Sequence, residues 1–341
     1  RVPARALFLA DLAVILLAAL PATGFHIATG METIFYAAAL AGISYCAARW
    51  LHQDGASWRW FAGLGGMILI AGLTRPDGVV YGAITLFLLV LYQKRAFFRK
   101  APLAALAASL LLPGTIYFVW RVSYFKMLLP LSFYHKSFVG GPYAHAARGV
   151  LFTDFAAMLL MPFLGWILYR ALTGGLSRTA YLVLIPCGLL VIYYSRVLAV
   201  AGLQYRFFYP YLFGFLVVGG GELADLFDRW VERLPRIVGA VAAAAAVCLL
   251  VVGPFWQEVQ TNLEYFVRGY GYYEPGDTYT NLGKALLNVD PAQSVGIGEV
   301  GKVGMLLRDY TVVDITGLND RTLARSPLTL EYLDQRGVNL L

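Results

Sequence analysis

Charge is what this sequence has least of. Asp, Glu, Lys and Arg make up only 14% of its 341 residues, whereas a soluble domain carries about 25%. A chain this poor in charge cannot cover a water-facing surface, so an ordinary soluble globule is excluded. Disorder is excluded by the other side of the composition, because hydrophobic types reach 59% and disordered segments are poor in them. Cysteine is also scarce. Cys46, Cys187 and Cys248 each sit in an apolar run and none belongs to a CxxC pair, which excludes a disulfide scaffold and leaves them as small hydrophobes. No secretory signal peptide is read, because the first apolar run lacks a small-residue cleavage site and further runs follow it.

What remains is a polytopic membrane protein. A membrane helix needs about 17–25 mostly apolar residues. Runs near 6–21, 31–49, 58–73, 78–92, 101–121, 149–170, 178–196, 205–220 and 237–254 predict about nine spans. The net charge of +7 then speaks of topology and not of nucleic acid, since Lys and Arg collect in cytoplasmic loops. With a cytoplasmic N-terminus, 13 of the 27 cations fall on the cytoplasmic side and 7 on the short outer loops. The cluster Lys94, Arg95, Arg99 and Lys100 is the strongest anchor of that orientation.

Residues 255–341 are different material. They hold 11 of the 20 acidic residues and no membrane-length apolar run. Short strands at 294–297 and 311–315, with a helix at 300–308 between them, predict a small α/β unit. The fold class expected is therefore an all-α polytopic membrane domain, residues 1–254, followed by a small extracytoplasmic α/β domain, residues 255–341. Gly296, Gly298 and Gly301 match GxGxxG, and Lys302 follows. Val303 stands where a phosphate loop needs Ser or Thr, and the second strand comes too soon for a dinucleotide fold. Tight strand-to-helix turns account for these glycines better.

Several polar groups fall where apolar helices begin or end. Arg75, Pro76, Asp77 and Gly78 join two runs on the outer side. Pro and Gly make the turn, and charges at a membrane face are costly unless paired or functional. One reading is a local Arg75–Asp77 ion pair; the other is an anchor for a phosphate or sugar, because the planar guanidinium donates two parallel hydrogen bonds. Glu32, in the first turn of its helix, either favours the helix dipole or accepts from a sugar hydroxyl. The outer loop 121–148 interleaves cations with aromatics, among them Tyr134 and Lys136, as suits an anionic, ring-bearing ligand or an interfacial belt. Its two histidines, His135 and His145, match no metal spacing. Arg206, followed by Phe207, Phe208, Tyr209 and Pro210, either snorkels to the interface or faces a polar cavity.

The ordered set G-M-E-T (30–33), T-R-P-D-G (74–78), L-P-x-x-F-Y-x-K (129–136), R-F-x-Y-P (206–210) and V-V-D-I-T-G-L-N-D (312–320) resembles bacterial polytopic glycosyltransferases of the GT-C superfamily. The branch it resembles most contains the mycobacterial terminal arabinofuranosyltransferase. Leu131 and Ser132 replace the N-T of the third motif, and Ala201-Gly202-Leu203 stands where the family often has G-G-D. For the last motif a buried turn is the favoured reading.

The resemblance implies a membrane glycosyltransferase of the bacterial inner membrane. It implies a polyprenyl-phosphate sugar donor and an envelope glycan, glycolipid or protein acceptor on the outer face, with the tail helping to bind the acceptor. Arg75, Lys136 and Arg206 would hold the donor phosphate. Glu32 and Asp77 would position hydroxyls or those cations, and Tyr134 would stack on a sugar. Such enzymes usually carry an acid on their first outer loop, and 21–30 has none; this predicts a catalytic base upstream of Arg1 and leaves the catalytic residue of this chain unknown. No cofactor is assigned and a divalent metal is left open. The rival is a transporter or flippase of lipid-linked glycans, which would use the same cations without chemistry.

Overall fold

The computed structural model describes residues 23, 27, 32–53, 57–127, 161–194, 206–231, 278–298, 300–315, 320–323 and 326–340. The predicted spans 6–21 and 237–254 lie outside the described residues, as do the first part of 149–170, most of the loop 121–148, and Tyr134 and Lys136 within it. The chain divides into two compact units, residues 1–124 with 146–259 and residues 125–145 with 260–341.

The first unit is helical. Its elements are α1 (Thr33–His52), α2 (Trp58–Thr74), α3 (Asp77–Phe97), α4 (Lys100–Phe125), α5 (Met161–Leu172), α6 (Arg178–Tyr194) and α7 (Leu212–Val231). Among the described residues, α1, α3 and α4 are long and apolar enough to cross a membrane, with 20, 21 and 26 residues. The sequence predicts more spans than this. Several predicted spans lie wholly or partly outside the described residues, and α2 and α6, with 17 residues each, stand at the lower limit of membrane-crossing length, about 26 Å at 1.5 Å per residue. The run at 205–220 does not open as an α-helix; Tyr209–Tyr211 form a turn of 3-10 helix around Pro210 before α7 begins.

Three features set the helix arrangement. Pro113 lies inside α4, and its ring cannot sit on a regular α turn. The chain widens to a π turn at Ala107–Leu111 just before it, where the backbone can accommodate the ring. Near the opposite end, Trp50, Phe61 and Phe97 form an aromatic core, with centroids 4.9 Å apart for Trp50–Phe61 and 5.2 Å for Phe61–Phe97. The Gln93 amide donates to the Leu51 carbonyl at 3.1 Å and so satisfies an acceptor that the end of α1 leaves open.

The third is the turn between α2 and α3. A residue before proline is pushed out of the α region, and Arg75 is extended, with φ −148° and ψ 137°. Pro76 then starts the next helix with φ −56°, the value its ring favours. Gly78 lies against α2 so closely that a Cβ there would stand 2.5 Å from the Ala71 carbonyl carbon. Gly78→Ala is therefore expected to force the two helices apart, at about 1–3 kcal/mol. Gly66→Ala, in open space on α2, is the control and should be neutral or slightly stabilising. Thermal unfolding of the purified protein in detergent separates the two.

The second unit contains α8 (Thr278–Leu286), β1 (Ser294–Ile297), α9 (Lys302–Leu306), β2 (Thr311–Asp314), α10 (Leu330–Gln335) and β3 (Val338–Leu340). The strands form one parallel sheet in the order β2-β1-β3, with Ser294 opposite Thr311 and Ile297 opposite Asp314. Val295, Ile297, Val303 and Leu307 make a small core between β1 and α9. Helix α9 has five residues, and the glycines before it end a strand and admit a short helix.

Candidate functional site

The polar groups at helix ends in the sequence converge at one end of the first unit. Glu32 immediately precedes α1, Arg75 ends α2, Asp77 opens α3, Tyr194 closes α6, and Arg206 precedes α7. The alternation of start and end explains the convergence, because each helix reverses the direction of the one before it.

Arg75 is the centre of this cluster and is only 6% exposed. Its Nε donates to Asp77 Oδ1 at 3.2 Å, Nη2 to the Tyr194 hydroxyl at 3.0 Å, and Nη1 to the Arg206 carbonyl at 3.4 Å. Three rings surround the guanidinium: Tyr36 at 4.9 Å, Phe207 at 5.2 Å and Tyr194 at 5.6 Å. Aromatic faces attract a cation, the more so where water is excluded. Burial would lower the Arg75 pKa, but the Asp77 charge beside it outweighs this and raises it. Asp77 also accepts from the Tyr211 hydroxyl at 2.6 Å, and Tyr36 stands edge-on to Tyr211. The Arg75–Asp77 pair is thus both a turn and a tether: it links α2 and α3 to α6 and to the start of α7.

Arg206 makes the second pair. Its Nη2 donates to both oxygens of Glu32, at 2.7 and 2.9 Å, across 174 residues of sequence. Its Nε is buried and has no hydrogen-bond partner. This pair is more open than the first, with the two side chains 24% and 33% exposed. Burial pushes the Glu32 carboxyl up, but the hydrogen bonds from Arg206 and its charge hold it below the ordinary glutamate value. Arg75 and Arg206 therefore each have their own carboxylate.

The other end of the helices differs in kind. Arg49, Arg59, Lys94, Arg95, Arg99, Lys100, Arg170 and Arg178 gather there. Arg49 and Arg178 lie over the rings of Trp60 and Tyr92 at 5.2 and 6.0 Å. Arg170 pairs with Glu222 at 2.6 Å.

Of the residues singled out from sequence, the structure brings Glu32, Arg75, Asp77 and Arg206 together; Lys136 and Tyr134 lie outside the described residues. Tyr36, Tyr194 and Tyr211 complete the cluster and were not singled out. Tyr36 could have been found, being one helical turn beyond Glu32, on the same face. Tyr194 carries no such signal. Among the described residues no group of His, Cys, Asp and Glu could hold a metal ion. No protein-family model, curated protein or solved structure matches this chain.

Proposed function

We propose that this chain is a membrane glycosyltransferase of the GT-C type, using a polyprenyl-phosphate sugar donor and an envelope glycan, glycolipid or protein acceptor. The observation that carries the reading is the meeting of three separate motifs, around Glu32, Arg75–Asp77 and Arg206, at one end of membrane helices. A donor of this kind presents its phosphate at the membrane face, and two guanidinium groups in an aromatic surround suit it. The cationic far end supports placing that end in the cytoplasm, and so the site on the outer face of a bacterial inner membrane. The second unit, with its parallel sheet, is then an extracytoplasmic α/β domain.

In this reading a carboxylate takes the proton of the acceptor hydroxyl as it attacks the anomeric carbon. Cations take up the charge that grows on the leaving phosphate. Glu32 and Asp77 each hold an arginine, so neither is assigned as that base; they position the cations. Lys136 and Tyr134 belong to the same reading as a further phosphate ligand and a sugar-stacking ring.

The test is transfer from a synthetic polyprenyl-phosphate sugar to a glycan acceptor by the purified full chain in liposomes. Transfer that is lost in Arg206→Gln with folding retained is the expected result. Movement of the intact donor across the bilayer without transfer would overturn the reading in favour of a flippase.

A further inference from the structure

The two arginines of the cluster are not equivalent, and the difference assigns them different work. Arg75 has an acceptor on each of its three nitrogens and is enclosed by three rings. Three of its five N–H donors are used in this way and it is only 6% exposed, so little of it is open to a ligand. Arg206 offers a free donor. The Nε and Nη2 groups of a guanidinium point the same way and form the fork that grips two oxygens of an anion. Glu32 places both its oxygens on Nη2 and leaves Nε unpartnered, so only half the fork is used.

We propose that Glu32 is the resident counter-ion of Arg206 and that a phosphate oxygen of the ligand displaces it, so that Glu32 sets how tightly the phosphate is held. This rests on the anion-site reading given above and goes beyond it by naming the competing group. Three observations support it. The Glu32–Arg206 pair is partly open to solvent, whereas Asp77 beside Arg75 is only 9% exposed. The two free oxygens of a phosphodiester can fill both donors of the fork, where the carboxylate fills one. Glu32 also has somewhere to go: it stands at the N-terminus of α1 and makes no capping hydrogen bond there, and the first-turn N–H groups and the helix dipole favour a carboxylate.

The experiment uses the full chain in detergent, with undecaprenyl phosphate as probe and undecaprenol as the uncharged control. Glu32→Gln removes the competing charge and is expected to tighten undecaprenyl phosphate binding about fivefold, the worth of a partly exposed ion pair. Undecaprenol binding should not change, and Arg206→Gln should abolish the gain. If Glu32→Gln does not give folded protein, Glu32→Asp, which withdraws the carboxylate by one methylene, should also bind more tightly than the native chain. Inorganic phosphate, run alongside, is expected to bind weakly and to gain in the same variants. Wild-type binding of undecaprenyl phosphate that is unchanged or weakened in the variants overturns the counter-ion role alone. No binding by the wild type overturns the phosphate reading of the site as well.

Discussion

Arg75→Ala is expected to be among the most damaging single substitutions in the chain. It leaves the Asp77 carboxylate buried, with the Tyr211 and Tyr194 hydroxyls as donors but no cation beside it. Breaking a buried pair by removing one partner costs about 3–5 kcal/mol, because the surviving charge is uncompensated. It also removes the cation that three aromatic rings surround and the links to Tyr194 and to the Arg206 carbonyl. Asp77→Asn should be damaging for the mirror reason, since it strands the guanidinium. The double variant Arg75→Ala with Asp77→Asn should lose less than the sum of the two, because no charge is left unpaired. Thermal unfolding in detergent of the four proteins measures this. A melting temperature for Arg75→Ala equal to the native one would show that the pair does not tether these helices. The same logic assigns any loss of sugar transfer in Arg75→Ala to folding first, and makes Arg206 the cleaner probe of chemistry.

The second large effect is expected in the other unit. Asp320 is buried and accepts four hydrogen bonds: from the N–H groups of Thr322 and Leu323 at 2.8 and 3.1 Å, and from the Tyr332 hydroxyl and Arg336 Nη2, both at 2.6 Å. It closes the turn at 320–323 onto α10. Asp320→Ala deprives all four donors of their acceptor, and a loss of about 2–4 kcal/mol from this unit is expected. Hydrogen exchange of Leu323 and Tyr332 amides in the full chain reads it.

The same residue gives a pH dependence. Burial pushes the Asp320 carboxyl up, but the donors around it win and hold it below the ordinary aspartate value. The unfolded chain therefore takes up this proton first, near pH 4 on the scale of a free aspartate at about 3.9. The stability that Asp320 contributes is present above that pH and is lost as pH falls through the lower folded value. Exchange protection around Leu323 should fall in that window. Asp320→Asn should show a flatter dependence; an identical slope in native and variant would remove Asp320 as its source.

How much of this was legible in the sequence depends on the distance over which each cause acts. Membrane character follows from composition, since scarcity of charge acts on every residue at once. The turn at Arg75–Gly78 was readable because Pro76 restricts the residue before it and Gly78 is the residue that permits close approach to Ala71; all the causes lie within a few positions. The local Arg75–Asp77 pair was one of two readings, and it is formed. The strands at 294–297 and 311–314 were readable from their apolar runs. Their parallel pairing, and the later addition of Val338–Leu340 beside β1, were not, because register depends on contacts distant in sequence.

Among the described residues three of the predicted runs form helices long and apolar enough to cross a membrane. Apolar runs mark what can be buried, in lipid or in protein, and the two look alike in sequence. Leu64, Ile68 and Ala71 of α2 are buried inside the bundle, while the corresponding window of α4 is almost wholly uncovered by protein.

The sequence by itself determined that the chain carries runs apolar enough to cross a membrane, that its last part is of a different composition, and that charged residues stand at the ends of its apolar helices. Only the tertiary structure decided which charges meet. Glu32 and Arg206 pair across 174 positions, and no local rule of spacing or propensity acts over that distance. The three tyrosines and Phe207 gather around the guanidiniums because helices that reverse direction bring alternate ends together, and an ionised group in such a place persists only where a partner charge and ring faces compensate its lost water.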